Sequence, residues 1–430
     1  MDFLISSTML ELSFVREHPE LVEADLKKRG DLERQKWLKD LLEKDREWRQ
    51  LKREADDLRA SRNTLTKRVQ EAKAKKEDAS KIIQEAKEIP GKIKERETRM
   101  EELKARVDHI LMRLPNILHE SVPVGKGEED NKAIREWGVK KKFDFELKHH
   151  GELACDLGIA DFERAVKIAG AGFYFLKGDL ALLDFALQNL AISMLTKKGY
   201  TLIYPPYMMR RKPYEGVTDL ADFESVMYKT ADDDLYLIAT SEHPMAAMYM
   251  DEVMDELPVK YAGISACFRR EIGKHGLDER GLFRVHQFNK IEQFIFCTPE
   301  ESWKYHEELI ANAEELMKAL EIPYRVVSVC TGDIGTVAAK KYDLEGWSPR
   351  ENKHIELMSC SNCTSYQATR LGIRYRTGAE NRHIHTLNST MVATSRALRL
   401  ILENYQRKDG TVEVPKALQT YMGKKEIGKA

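Results

Sequence analysis

The chain has 430 residues, 42% of them apolar and 33% charged, which suits a soluble globular protein of two or three domains whose core does not rely on disulfides. Lys and Arg number 70 against 71 for Asp and Glu, so no bulk positive charge announces nucleic acid, and any RNA contact has to come from a local patch. The start, MDFLISSTMLELSFVREHPE, has no basic flank before a long apolar core, no run of about 18 apolar residues follows, and six cysteines are too sparse for a disulfide scaffold; the expectation is no export, no membrane and a reducing cytoplasm.

From Asp31 to Leu114 charged residues and strong helix formers dominate. Leu41, Trp48, Ala55, Arg62 and Val69 recur every seven residues, with Leu51, Leu58, Leu65 and Ala72 three beyond. Ile82, Ile89, Arg96, Leu103 and Ile110 repeat the seam, joined by Ala86, Ile93, Met100, Val107 and Leu114. Such heptads predict two helices turned near 75–80, a long antiparallel coiled-coil hairpin. Pro90-Gly91 predicts a kink or short break in the second helix, because proline lacks the amide and crowds the preceding turn. The hairpin carries 24 Lys and Arg against 19 Asp and Glu, an excess of five positive charges that allows salt-sensitive contact with a phosphate backbone. A solvated spacer or a dimerisation arm fits the same composition.

PNILHESVPVGKGEEDNK, residues 115–132, reads as a linker. Two domains are therefore expected, 1–120 with the arm and 121–430 with the globular part. DFALQNLAISMLTKKGY predicts an amphipathic helix ending at Gly199, and TLIYPPYMM a short strand stopped by Pro205-Pro206. VMYKTADDDLYLIATSEH, GISACFRREIG and FRVHQFNKIEQFIFC read as strands, ESWKYHEELIANAEELMKALEI as a helix and YRVVSVC as a strand. A last helix is expected from Thr394 to Gln406, then a frayed polar tail from Gly423. The sum is an α+β fold, an antiparallel sheet flanked by helices.

Two constellations carry chemistry. Residues 268–292, FRREIGKHGLDERGLFRVHQFNKIE, gather Arg269, Glu271, Arg284, His286, Phe288 and Glu292, alternating charge with apolar groups as on a hairpin that holds anions and a planar base. Further on, Glu356 precedes SCSNCTSYQATR, and LNSTMVATSRALRLILENYQ carries Asn388, Thr390 and Arg396. Guanidiniums offer forked donors to phosphate or carboxylate, Glu356 offers hard oxygen to magnesium, and Phe288 offers a ring face. Together they read as a nucleotide site built without a Gly-rich phosphate loop. Cys360 and Cys363 make a lone CxxC, to which Cys330 and His354 could add ligands for zinc, although small buried side chains are the favoured reading.

These blocks resemble the motifs of class II aminoacyl-tRNA synthetases, FRREIG the second and the stretch ending at Arg396 the third. Thr240-Ser241-Glu242, RVHQFNKIE, SCSNCTSYQATR and HTLNSTMVATSRALRLILENYQ narrow the resemblance to the seryl-tRNA synthetase family, over essentially the whole chain. The resemblance implies a class II catalytic domain that makes seryl-adenylate and pyrophosphate from L-serine and ATP, then loads the 3′ ribose of serine tRNA, with selenocysteine tRNA an open second substrate. It implies a homodimer, with the first motif at the interface, and an arm that grips the long variable arm of the tRNA. Arg269 matches the residue between serine carboxylate and α-phosphate, Glu271 one that places the adenosine end, and Arg284 and Arg396 those on the outer phosphates. Phe288 matches the ring stacked on adenine, whose other side Arg396 can cover, and Glu356 a magnesium carboxylate. Glu292 and Thr390 match residues around the serine side chain, with Asn388 nearby, and Thr240 and Glu242 those near its amino group. Arg269, Glu271 and Arg396 would carry catalysis through position and charge rather than proton transfer. His286 could be structural or a substrate contact, and Arg270 is assigned no role. Two rival readings are a ligase that loads a small amino acid onto a carrier protein, and a non-catalytic coiled-coil adaptor with a degenerate ligase domain; the arm opposes the first and the retained site residues oppose the second.

Overall fold

A computed structural model describes residues 11–219, 224–271, 281–378 and 380–429; the first ten residues and the 272–280 part of the second motif lie outside them. The described chain divides into two compact units, one spanning Leu12–Leu114 and the other holding the chain from Pro115 onward.

In the first unit, α1 (Leu32–Ala74) and α2 (Ser80–Leu111) form the antiparallel pair that the heptads predict, with the turn where the sequence puts it. Leu41, Ala55 and Ala72 on α1 and Ile89, Ile93, Leu103, Val107 and Ile110 on α2 are buried along the seam. Asp31 caps α1, its carboxylate accepting the Arg34 amide at 2.9 Å. Arg62 is exposed despite its heptad position, because near the tip a long cationic chain reaches water more cheaply than it fills the seam. Four ion pairs lace the helices together: Arg106 to Asp40 (2.8 Å), Arg99 to Glu47 (2.9 Å), Arg96 to Glu54 (3.0 Å) and Arg59 to Glu97 (2.6 Å). Of the kink or short break expected at Pro90-Gly91, the break is not found: α2 runs through Pro90 without interruption. Proline removes one donor there, and burial of Ile89 and Ile93 on either side keeps the turn helical.

The second unit is built on an eight-stranded sheet of β1 (Lys132–Trp137), β2 (Thr201–Ile203), β3 (Val259–Phe268), β4 (Gln287–Cys297), β5 (Tyr324–Ser328), β6 (Lys340–Ser348), β7 (Lys353–Asn362) and β8 (His385–Ala393). Their spatial order is β1-β5-β6-β7-β8-β4-β3-β2. Every junction is antiparallel except the last, where β2 lies parallel to β3, so the sheet is mixed rather than wholly antiparallel. The long connection between those two strands permits the parallel pairing that a tight turn forbids. Within 226–243 β pairing is confined to Tyr236–Leu237 and a bridge at Lys229, less than the strand expected there, and a helix begins at Glu242.

Helices α3 (Gly178–Lys197), α5 (Ser302–Ala319) and α6 (Thr394–Tyr405), with the short α4 (Glu242–Ala247), pack on this sheet. By length and composition α3 could cross a membrane, but Leu180, Leu183, Leu187, Ala191 and Leu195 are buried in the main core. α6 is not the last helix, since Lys416–Met422 follows. Nor does the tail fray: Glu426–Ile427 pairs with Val412–Glu413, and Ile427 is fully buried. One apolar side chain among polar neighbours was enough to anchor it.

Candidate active site

The site is organised around β4, whose alternate residues Phe288, Lys290 and Glu292 share one face of the strand. The β3 ladder is regular, pairing Cys267 with Phe288, Ser265 with Lys290 and Gly263 with Glu292. On the other side Thr390 of β8 stands opposite Glu292, after which Val392 pairs with Ile291, so Met391 is an extra residue. A matching irregularity lies between β6 and β7: Leu344 pairs with Met358 but Glu345 with Glu356, leaving Leu357 over. Each bulge lets residues three apart share a face. Thr390 and Ala393, and likewise Glu356 and Ser359, line the same cleft for that reason.

That cleft encloses about 470 Å³ of space continuous with solvent, and its walls include Arg269, Glu271, Phe288, Glu356, Thr390 and Arg396. Arg269 directly follows β3; its amide donates to His286 O at 2.9 Å and its Nε to Ala239 O at 3.3 Å. The guanidinium carbon lies 5.4 Å from the centroid of Phe288, a ring packed among Cys267, Val285 and Ala393. Arg396 sits in the first turn of α6, donating from one nitrogen to Glu356 O (3.0 Å) and its Oε1 (3.3 Å), with its guanidinium carbon 5.5 Å from the Phe283 ring. The neighbouring Arg396 charge, with Lys341 and Arg269 behind it, outweighs burial and lowers Glu356 to about 2. Arg284 pairs with Glu271 at 3.0 Å.

The remaining predicted residues form a second, buried group. Glu292 is 1% exposed, in close contact with the Lys290 ammonium and 3.4 Å from the Thr390 hydroxyl. Burial raises its carboxyl, against the lowering pull of Lys290 and Arg269. Glu242 begins α4; its Oε1 accepts from Asn388 (3.0 Å) and Gln367 (3.2 Å), and its amide donates to Thr240 Oγ1 (3.2 Å). Burial first, then the Glu292 charge, pushes Glu242 up to about 7. Gly263 lets α4 approach: a Cβ there would meet Met245 Cε at 2.6 Å and Ser241 Oγ at 2.8 Å. A larger residue would force the Met245 and Ser241 side chains on the adjoining turn to move.

Thus the predicted site residues lie at the cleft or in this group beside it, except Arg284, which is paired to the cleft residue Glu271. Phe283, Lys290 and Ser359 were missed. Lys290 was discoverable, being two residues from both Phe288 and Glu292 in a strand; Ser359 was hidden by a bulge. His286 has structural partners: its ring stacks on Phe173 at 5.1 Å, its Nδ1 meets the Tyr228 hydroxyl and its amide donates to Gly172 O. Cys360 and Cys363 are buried free thiols, Cys360 donating to His306 O (3.6 Å) and Cys363 accepting from Asn388 (3.5 Å).

A largely antiparallel sheet with charged, base-stacking and carboxylate groups gathered in this way is the architecture of class II aminoacyl-tRNA synthetases, and residues 224–405 match the tRNA synthetase class II core domain (G, H, P, S and T). Residues 9–118 match the seryl-tRNA synthetase N-terminal domain. The serine–tRNA ligase of Methanocella arvoryzae is 59% identical over 96% of this chain and 99% of its own. Seryl-tRNA synthetase of Pyrococcus horikoshii, solved with ATP, superposes with a TM-score of 0.94 at 48% identity, covering 98% of this chain and 99% of that one. The cytoplasmic serine–tRNA ligase of Naegleria fowleri, solved with AMP, gives 0.88 at 37% identity over the same shares. The chain belongs to the serine–tRNA ligase family.

Proposed function

We propose that the cleft is where ATP and L-serine are joined, with the roles laid out below. Membership of the family makes the protein an ATP-dependent serine–tRNA ligase, forming seryl-adenylate and pyrophosphate before loading tRNA. The observation that carries the site assignment is the convergence of Arg269, Glu271, Phe288, Glu356, Thr390 and Arg396, distant in sequence, on one cleft.

Arg269 stands between the two groups of residues, next to the aromatic floor at Phe288 and within electrostatic reach of Glu242 and Glu292. That is the place from which one guanidinium draws a carboxylate and an α-phosphate together. Arg284 and Arg396 receive the outer phosphates, Phe288 the adenine, and Glu271 the adenosine end. Each arginine now rests on a protein carboxylate, so nucleotide phosphates exchange one anion for another rather than meeting a bare charge. Glu356 is ionised and opens onto the cleft beside Ser359, a hard-oxygen pair that fits magnesium bound together with phosphates. Magnesium there would neutralise developing phosphate charge. Glu292 and Thr390 take the serine side chain, and Glu242, Thr240 and Asn388 its ammonium end.

The hairpin, with its excess of positive charge, is assigned to the long variable arm of serine tRNA, and residues 1–120 and 121–430 to RNA binding and aminoacylation. Exposed Leu182 and Phe185 on α3, with Leu202 and Tyr204 just beyond it, supply an apolar face for a homodimer. The cytoplasm is the proposed location. Serine-dependent ATP–pyrophosphate exchange, run beside alanine, glycine, threonine and cysteine, tests the reading; equal turnover with alanine overturns the serine assignment.

A further inference from the structure

Lys290 is a charged side chain that the roles above leave unused. It is 5% exposed, in the middle of the sheet, yet it lines the cleft. Burying an ammonium is costly unless it is paired and hydrogen-bonded. Both conditions are met by the same two residues: Nζ contacts the Glu292 carboxylate and donates to Thr390 Oγ1 at 3.2 Å. Because Lys290 occupies an acceptor position on Thr390, that hydroxyl directs its own hydrogen toward Glu292.

We propose that Lys290 is a positioning residue that sets serine specificity: its ammonium keeps Glu292 an ionised acceptor and turns the Thr390 hydroxyl toward it, so the pocket meets the substrate with acceptor oxygen. This rests on the reading that Glu292 and Thr390 surround the serine side chain. A substrate O–H then has a ready acceptor, whereas alanine leaves a buried carboxylate short of a donor, the kind of mismatch that discriminates most strongly.

The charge balance of the pocket supports the assignment. Among the described residues, Glu292 faces Glu242 from α4, Arg269 and Cys267 from β3, Cys360 from β7, Thr390 from β8, and Lys290 on its own strand. Two carboxylates are thus met by two cations, one of which, Arg269, also has to serve the reacting anions. Without Lys290 the carboxylate pair retains a proton to higher pH, and Glu292 stops being a reliable acceptor.

The test is Lys290→Met, with Lys290→Arg and Lys290→Gln beside it, in serine- and alanine-dependent exchange from pH 5.5 to 9, at about half-unit steps. In K290M the KM for serine should rise about tenfold or more, the preference for serine over alanine should fall by a similar factor, and the acid limb of kcat/KM for serine should move up by about one pH unit, while the KM for ATP stays within about twofold. K290R should hold the limb near its wild-type place. A fall in kcat with serine KM, preference and limb unchanged overturns the proposal and puts Lys290 on the reacting phosphate. Thermal melting monitors folding, and K290Q carries the same comparison if K290M does not fold. T390A separates the two layers: if it leaves serine preference intact, the pocket reading itself fails. If T390A lowers preference and the Lys290 variants do not, only the role of Lys290 fails.

Discussion

The Arg269 guanidinium stands 5.4 Å from the Phe288 ring centroid, while Arg396 stands over Phe283 instead. The two arginines therefore rest on different rings at different places on the cleft wall, and their loss should be felt differently. R269A removes the charge between the reacting anions and should cut adenylate formation by about a thousandfold at saturating substrates. R396A should cost a similar factor, with a larger share appearing as a raised KM for ATP. Serine-dependent ATP–pyrophosphate exchange at varied ATP checks both, and near-normal turnover in either variant refutes its role.

Glu242 gives a pH signature. Its carboxyl is raised to about 7, so it is ionised above that pH and neutral below it. An ionised Glu242 attracts the serine ammonium and a neutral one does not. The KM for serine should therefore climb as pH falls through about 7, with little change in the KM for ATP. E242Q should raise the KM at pH 8 and flatten the dependence, as initial-rate kinetics across the range would record.

One turn beyond Arg396, Arg399 has a stability role. It is 1% exposed, bonded to Glu403 at 2.8 Å and paired with Glu351, and Ser348 donates to the other oxygen of Glu403 at 2.5 Å. R399M removes the buried cation that Glu351 and Glu403 share, leaving Glu403 to Ser348 and Glu351 to Lys353, and should destabilise the fold by about 3–5 kcal/mol. Urea denaturation should separate it from R396A, whose half-open cleft position leaves stability within about 0.5 kcal/mol of wild type.

Replacing 31–114 by a short linker should preserve serine-dependent exchange and greatly weaken tRNA charging, since the cleft draws its walls from residues 269–396. Binding of tRNA to the intact protein should fall as salt rises. Unchanged charging efficiency without the arm would return the hairpin to the spacer reading.

The parts legible in sequence are those governed by short periodic rules. Heptads placed both arm helices and their turn, because a seam repeats the same demand many times and one exposed Arg62 cannot spoil it. The site residues were legible through resemblance, and the strand face of Phe288 and Glu292 through alternation. What stayed hidden depends on context. Period-two reading passes over the bulges at Leu357 and Met391, so it could not bring Ser359 and Glu356 to one wall. It also treats a buried Lys290 as surface, because the compensating Thr390 is a hundred residues away. Pro90 was read by its local cost alone, and the packing of Ile89 and Ile93 decided the outcome.

The two bulges also say how such a cleft could be remade. Exchanging side chains at Glu356, Ser359, Thr390 or Ala393 alters one wall group at a time and leaves the frame standing. Deleting Leu357 or Met391 would instead reset the alternation of a whole strand end, carrying one of each pair to the opposite side of the sheet while the other stayed. Divergence of substrate choice on this scaffold is therefore a matter of replacement, and a single-residue length change in β7 or β8 should be lethal to the site even where every functional side chain is retained.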